Sequence, residues 1–97
     1  MVYEMLLVPV EGKIRRIFSK ELDMDFVQEM IEGYAEKIKV TYEDFTRDAF
    51  VSETQTGLCN DRLTTMRAEY LARNGHELSR PEVLRGSGVV VIRKSVG

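Results

Sequence analysis

The amino-acid sequence predicts a small α+β domain in which two helices pack on a mixed or antiparallel sheet. Three observations favour this class. Five short runs are rich in strand-forming residues, two segments carry apolar residues at helical spacing, and the resulting order, β-β-α-β-β-α-β, lacks a strict βαβ repeat. The chain has 97 residues, so we expect a single domain over residues 1–97.

The first two strands are predicted to form a hairpin. Residues 3–10 are rich in strand formers, residues 11–13 contain a glycine turn, and residues 14–18 form a second apolar run. Pro9 is expected near the end of its strand, where a missing N–H is tolerated.

Two helices are predicted, at about residues 21–32 and 60–73. For the first, Ser19 or Asp23 could cap the start, and Gly33 is the expected stop. The second begins at Asn60, a strong capping residue, and ends at Asn74 and Gly75. The apolar faces are formed by Leu22, Phe26, Val27, Met30, Ile31 and Tyr34 in the first helix, and by Leu63, Met66, Tyr70 and Leu71 in the second.

The remaining segments complete the sheet. Residues 37–42 alternate as in a half-buried strand, residues 43–48 are polar and turn-like, and residues 49–51 form a short strand. Pro81 suits a short helix or turn, and Gly86-Ser87-Gly88 interrupts the chain. Residues 89–92 are apolar without interruption, which predicts a central strand buried on both faces.

Composition and charge exclude several classes of protein. The net charge of −2 argues against direct binding of nucleic acid or anionic membrane. No segment approaches the ~20 apolar residues of a membrane span, and residues 1–10 lack a basic leader and a cleavage site. Cys59 is the only cysteine, which suits a reducing cytosol. We therefore expect a cytoplasmic protein.

Catalytic and metal sites are not predicted. His76 has no second histidine or cysteine cluster beside it, and we interpret it as an exposed loop residue. Cys59 precedes a helix, which could favour a reactive thiolate, although a small buried apolar side chain is the preferred interpretation. The carboxylates of the first helix fit a solvated face. Because a cofactor loop is also missing, we expect no enzyme and no cofactor.

One loop is typical of a ligand site. Residues 54–62 form a small polar loop that leads into a capped helix, and free N–H groups at a helix start bind anions, so Asn60 and this helix start would face phosphate. Arg62 and Arg67 could add guanidinium contacts, and Thr54 and Thr56 could bond a sugar or base. An ordinary loop with an asparagine cap is the alternative. Gly86-Ser87-Gly88 could likewise let backbone approach a ligand, or only turn the chain into a strand.

Four motifs together carry a resemblance to a known family. They are the segment Leu7-Val8-Pro9-Val10-Glu11-Gly12-Lys13, the helix end Met30-Ile31-Glu32-Gly33-Tyr34-Ala35-Glu36, the helix start Asn60-Asp61-Arg62, and the strand Gly86-Ser87-Gly88-Val89-Val90-Val91-Ile92. In these motifs the chain resembles a phage-associated domain family of unknown function, and it departs from that pattern between residues 71 and 85. The resemblance implies a phage or mobile-element origin and a location in the cytoplasm of the infected bacterium.

Two functions from different classes are consistent with these features. The first is a non-enzymatic phage-type protein that sequesters a small anionic ligand such as a nucleotide immune signal, with Tyr42 or Tyr70 stacking on a base or lying in the core. The second is an inhibitor that binds a host protein through its acidic first half, where eleven acidic and seven basic residues give −4 against +2 for the rest. Abundant apolar strands also predict a homodimer or higher homo-oligomer.

Overall fold

Seven elements follow the predicted order in a computed structural model that describes residues 2–75 and 82–95. His76 and Pro81 lie outside the described residues, so their predicted roles stay predictions. The elements are β1 (Val2–Val8), β2 (Arg15–Ser19), α1 (Met24–Ile31), β3 (Ala35–Tyr42), β4 (Phe45–Ser52), α2 (Asp61–Arg73) and β5 (Gly88–Ser95).

The five strands form one antiparallel sheet in the order β2-β1-β5-β4-β3. β5 is therefore the central strand, which confirms the prediction for residues 89–92. Val89 and Val90 are both fully buried, and neighbouring residues of a strand point to opposite faces. The unbroken apolar run in β5 thus has a physical cause, because both faces of this strand are covered.

The two helices cover opposite faces of the sheet. Val27 and Ile31 of α1 pack with Val89, while Leu63 of α2 packs with Val90. Each helix thus has its own hydrophobic cluster, and β5 contributes to both. Among the described residues, no helix is long and apolar enough to cross a membrane.

The β3–β4 hairpin differs from the prediction that residues 43–48 form a turn. The turn consists of Glu43 and Asp44, both with positive φ (49° and 68°), as a tight two-residue hairpin requires. β4 then begins at Phe45 and pairs with β3 along its whole length. The polar residues that suggested a turn are accommodated by cross-strand partners, since Lys39 donates a hydrogen bond to Asp48.

α1 is shorter than the predicted helix over residues 21–32. Asp23, one of the two predicted caps, has extended backbone, and its carboxylate accepts a hydrogen bond from the Asp25 N–H at 2.9 Å. Glu21 therefore lies before the helix. At the other end Glu32, rather than Gly33, adopts the left-handed conformation, with φ 58°. α2 and its Asn60 cap agree with the prediction.

Candidate functional site

A polar hollow of about 310 Å³ lies at the end of the sheet where β1 and β4 end and β5 begins. The end of α1 and the loop between β4 and α2 also border it. Its volume is at the lower limit of ordinary small-molecule pockets. The lining consists of Val10, Met30, Ile31, Glu32, Ser52, Thr54, Thr56, Gly57, Gly86 and Ser87.

Hydroxyl groups dominate the chemistry of this hollow. Four lining residues, Ser52, Thr54, Thr56 and Ser87, carry a hydroxyl group, which can donate and accept a hydrogen bond. The Ser52 and Thr54 hydroxyl oxygens are 3.0 Å apart and share one hydrogen bond. Glu32 is the only charged residue among the described lining residues, and it supplies acceptors alone. The lining therefore suits a neutral ligand group rich in hydroxyls or amides.

The loop that forms one wall is held by side-chain hydrogen bonds. Gln55 donates through its amide nitrogen to the Ser52 carbonyl at 2.6 Å and accepts from the Arg85 N–H at 2.9 Å. The Arg85 guanidinium donates to the Gly57 carbonyl at 2.9 Å. The Gly86 N–H in turn donates to the Leu58 carbonyl at 3.0 Å. These contacts fix the loop before any ligand enters, which lowers the entropic cost of binding.

Unusual backbone conformations occur around the hollow. Glu32 and Gln55 are non-glycine residues with positive φ, at 58° and 46°. Such conformations cost of the order of 1 kcal/mol or more and often accompany ligand sites. Gly57 and Gly86 also have positive φ, at 96° and 78°, which a side chain would disfavour.

Asn60, predicted to face phosphate, has its side chain inside the fold. Its side chain is fully buried. The amide nitrogen donates to the carbonyls of Val8 and Gly86 at 3.0 and 2.9 Å, and the amide oxygen accepts from the Leu63 N–H at 3.1 Å. Every hydrogen-bonding group of the side chain is therefore used within the fold.

The two predicted arginines lie in different environments. Arg62 is exposed in the first turn of α2 and has no hydrogen bond or ion pair to any described residue. Arg67 instead donates to the Lys39 carbonyl at 2.7 Å, pairs with Glu82 at 3.3 Å, and lies 5.5 Å from the Tyr70 ring. Arg67 is absent from the lining of the hollow, and its contact with a ligand stays a prediction.

The structure does bring Thr54 and Thr56 together in the hollow. It also places Gly86 and Ser87, the other predicted ligand-approach segment, in the same lining. Tyr42 lies instead against the α2-side core, and Tyr70 lies beneath Arg67, so neither aromatic ring lines the hollow.

Sequence reasoning missed Glu32, Ser52 and Arg85 as site residues. Glu32 was assigned to the solvated carboxylate face of the first helix; it is exposed, as expected, and it also lines the hollow at the end of α1. Arg85 reaches the loop through a bridge with Cys59, across a long stretch of chain. No local pattern signals such contacts, because tertiary pairing alone creates them.

Three other features that could carry a function are Cys59, a metal site and the acidic first half of the chain. Cys59 is half-buried and donates its thiol hydrogen to the Asp61 carboxylate at 3.4 Å. The described residues contain no group of three or more potential ligands that could hold a metal. Several carboxylates of the acidic first half are paired with basic side chains: Glu4 with Arg16, Asp44 with Arg73 and Asp48 with Lys39. These three carboxylates of the acidic first half are thus neutralised by basic side chains.

Comparison with protein-family models, with curated proteins and with solved structures finds no match for this chain. The resemblance to a phage-associated family therefore stays a prediction.

Proposed function

We propose that this protein is a non-enzymatic, phage-type binding protein that sequesters a small nucleotide-like ligand in the polar hollow. The observation that carries the proposal is that four residues lining one hollow, Ser52, Thr54, Thr56 and Ser87, carry hydroxyl groups. Ribose and the edges of a base offer the donors and acceptors that such a lining can satisfy.

Glu32 favours the sugar rather than the phosphate as the buried part of the ligand. A carboxylate accepts hydrogen bonds from a ribose diol, as in the recognition of dinucleotide cofactors. The same carboxylate repels a phosphate, and no described lining residue offers a positive charge to offset that repulsion.

The phosphates would then lie at the rim, where arginines are available. Arg85 is exposed and hydrogen-bonded to Gly57, a lining residue. Arg62 is exposed in the first turn of α2, and Asn60 just before it contacts Gly86, which also lines the hollow. Asp61 shares that turn and reduces the attraction of the helix start for an anion. Arg62 and Arg85 therefore replace the helix N–H groups as the proposed phosphate contacts.

The first test removes hydroxyls from the hollow. The variant Thr54→Val with Thr56→Val keeps the shape of both side chains, and both residues are exposed, so we expect the fold to persist. A hydrogen bond contributes roughly 0.5–1.5 kcal/mol, so losing two should weaken binding about fivefold to a hundredfold. Calorimetric titration against cyclic dinucleotides, cyclic trinucleotides and ADP-ribose derivatives measures the change.

Thr65→Val is the matched control, since Thr65 is an exposed threonine of α2 outside the hollow. We expect it to bind like the unaltered protein. If the unaltered protein binds no member of the panel, sequestration of a nucleotide is refuted. If it binds one and the Thr54 and Thr56 variant binds equally well, the hollow is the wrong site.

The second test concerns the rim. Arg62→Ala should weaken binding about tenfold to a hundredfold, because charge-assisted hydrogen bonds contribute roughly 1.5–3 kcal/mol. Arg62→Lys should recover part of the loss, because lysine lacks the planar fork. Arg93→Ala is the control, since this exposed arginine lies toward the other end of β5. An equal effect of Arg62→Ala and Arg93→Ala would indicate only general electrostatic attraction.

A further inference from the structure

A second hollow, of about 310 Å³, lies on the face of the sheet that carries α1. We call it the apolar hollow, and it is separate from the polar hollow, because the two have no described lining residue in common. Four strands and the segment just before α1 contribute to it. Its lining consists of Tyr3, Leu22, Lys37, Asp48, Phe50 and Val91.

The pairing of the strands places these residues on one side of the sheet. Lys37 lies opposite Phe50, and Asp48 lies opposite Val91. Residues opposite each other in an antiparallel pair share a face, as do residues two apart along a strand. Phe50 and Val91 belong to the hydrophobic cluster on the α1 side. Lys37 and Asp48 therefore share that side with them.

Most of the lining of this hollow is apolar. Phe50 is only 6% exposed, and three half-buried residues pack against the same cluster: Tyr3, Leu22 and Val91. α1 has eight residues and contributes none of the described lining, so apolar surface is left open beside the helix. Small-molecule sites are typically hollows of roughly 300–1,000 Å³ with mainly apolar walls and a few polar groups. The apolar hollow fits a ligand at the small end of that range.

The charges beside the apolar hollow leave one cation available. Asp48 accepts a hydrogen bond from Lys39, so its negative charge is offset by a neighbour on the sheet. Lys37 is exposed and forms no hydrogen bond or ion pair with any described residue. An ammonium at an apolar hollow attracts an anion whose remaining part is apolar. A singly charged carboxylate suits this position better than a doubly charged phosphate, which Asp48 would repel more strongly.

We propose that the apolar hollow binds a small apolar monocarboxylate, with its hydrocarbon part against Leu22, Phe50 and Val91 and its carboxylate at Lys37. Binding removes apolar surface of both the ligand and the hollow from water. The ion pair at Lys37 keeps the carboxylate at the rim and so fixes the orientation of the ligand. This site goes beyond the proposed nucleotide-binding function, because it has its own lining and selects a different class of ligand. Each of the two proposals can therefore fail without the other.

The test is an NMR titration of the isotope-labelled protein with phenylacetate and, separately, with isocaproate. We expect at least one of them to bind with a Kd of about 1 mM or lower. The largest shifts should occur at the backbone amides of Leu22, Phe50 and Val91. The amides of Thr54 and Gly86 at the polar hollow should not shift. Phenylacetamide and phenethylamine, the neutral and cationic analogues of phenylacetate, should bind at least about threefold more weakly, as expected for loss of an ion pair with an exposed lysine.

Lys37→Met removes the charge and keeps an unbranched side chain at an exposed position, so we expect the fold to persist. It should raise the Kd of the bound carboxylate at least about threefold and leave binding of phenylacetamide unchanged. Lys13→Met is the matched control, because Lys13 is an exposed lysine outside the lining. The proposal is overturned if neither carboxylate shifts the amides of the apolar hollow. It is also overturned if phenylacetamide binds as tightly as phenylacetate, or if Lys37→Met and Lys13→Met have the same effect.

Discussion

Replacement of Asn60 by alanine should strongly destabilise the protein, because this one side chain joins three parts of the fold. Its amide nitrogen bonds the end of β1 through Val8 and the segment before β5 through Gly86, and its oxygen caps α2 at Leu63. Asn60 is fully buried, so water cannot replace the lost bonds.

The magnitude follows from the three hydrogen bonds. Loss of the helix cap costs about 1 kcal/mol. The buried Val8 carbonyl, left without a partner, costs roughly 1–3 kcal/mol, and the less buried Gly86 carbonyl costs about 1 kcal/mol. The sum is about 3–5 kcal/mol, a large share of the 5–15 kcal/mol that is typical of a whole domain.

Urea denaturation followed by far-ultraviolet circular dichroism measures this loss. Asn60→Ser separates the contributions, since serine keeps the capping oxygen but lacks the two amide hydrogens. Its cost should fall short of that of Asn60→Ala by about the 1 kcal/mol of the cap. Asn74→Ala is the control, because exposed Asn74 at the other end of α2 donates one bond, to the Tyr70 carbonyl. If Asn60→Ala costs no more than Asn74→Ala, the role assigned to Asn60 is refuted.

Two further predictions test packing and ionisation. Gly88→Ala would place a Cβ 2.5 Å from a terminal methyl carbon of Leu63, so we expect a loss of about 1–3 kcal/mol in urea denaturation. Combining it with Leu63→Val should cost less than the sum of the single changes, and strict additivity would contradict this contact. The pKa of Tyr42 is raised above its ordinary value near 10.0. Burial of the side chain is the largest cause, and the neighbouring Glu43 carboxylate is the second. The folded state therefore holds this proton more tightly, so its stabilisation is lost as pH rises through the raised pKa. Tyr42→Phe should reduce the alkaline loss of stability, and the same decline in both proteins would show that another group is responsible.

The features predicted correctly from the sequence are those that local patterns encode. Asn60 and the apolar stripe of α2 specify a helix start and a buried face within a few residues of each other. The unbroken apolar run of β5 marks a strand covered on both sides, since Val89 and Val90 face different helices. In each case the physical cause of the structure lies within the segment itself.

The features that were not predicted depend on partners distant in the chain. β4 extends through polar residues because Lys39 on β3 pairs with Asp48. Arg67 was assigned to a ligand but bonds the Lys39 carbonyl on β3, since α2 packs over that strand. The hollow unites Glu32, Thr54 and Ser87 from three separate loops or helix ends. Only the sheet order brings these segments to one end of the molecule.

The position of Asn60 also has a consequence for how a ligand would be held. Because the Asn60 cap is used inside the fold and no cation lines the hollow among the described residues, the proposed ligand would be bound there by neutral hydrogen bonds and by Glu32. A contact between exposed Arg62 and a phosphate would be weakened by salt, because interactions between solvent-exposed charges are screened. The affinity of the unaltered protein should therefore fall with added salt, and Arg62→Ala should bind more weakly with a shallower salt dependence. The Thr54 and Thr56 variant should bind more weakly with the original salt dependence. If both variants keep the original dependence, Arg62 does not contact the charged part of the ligand.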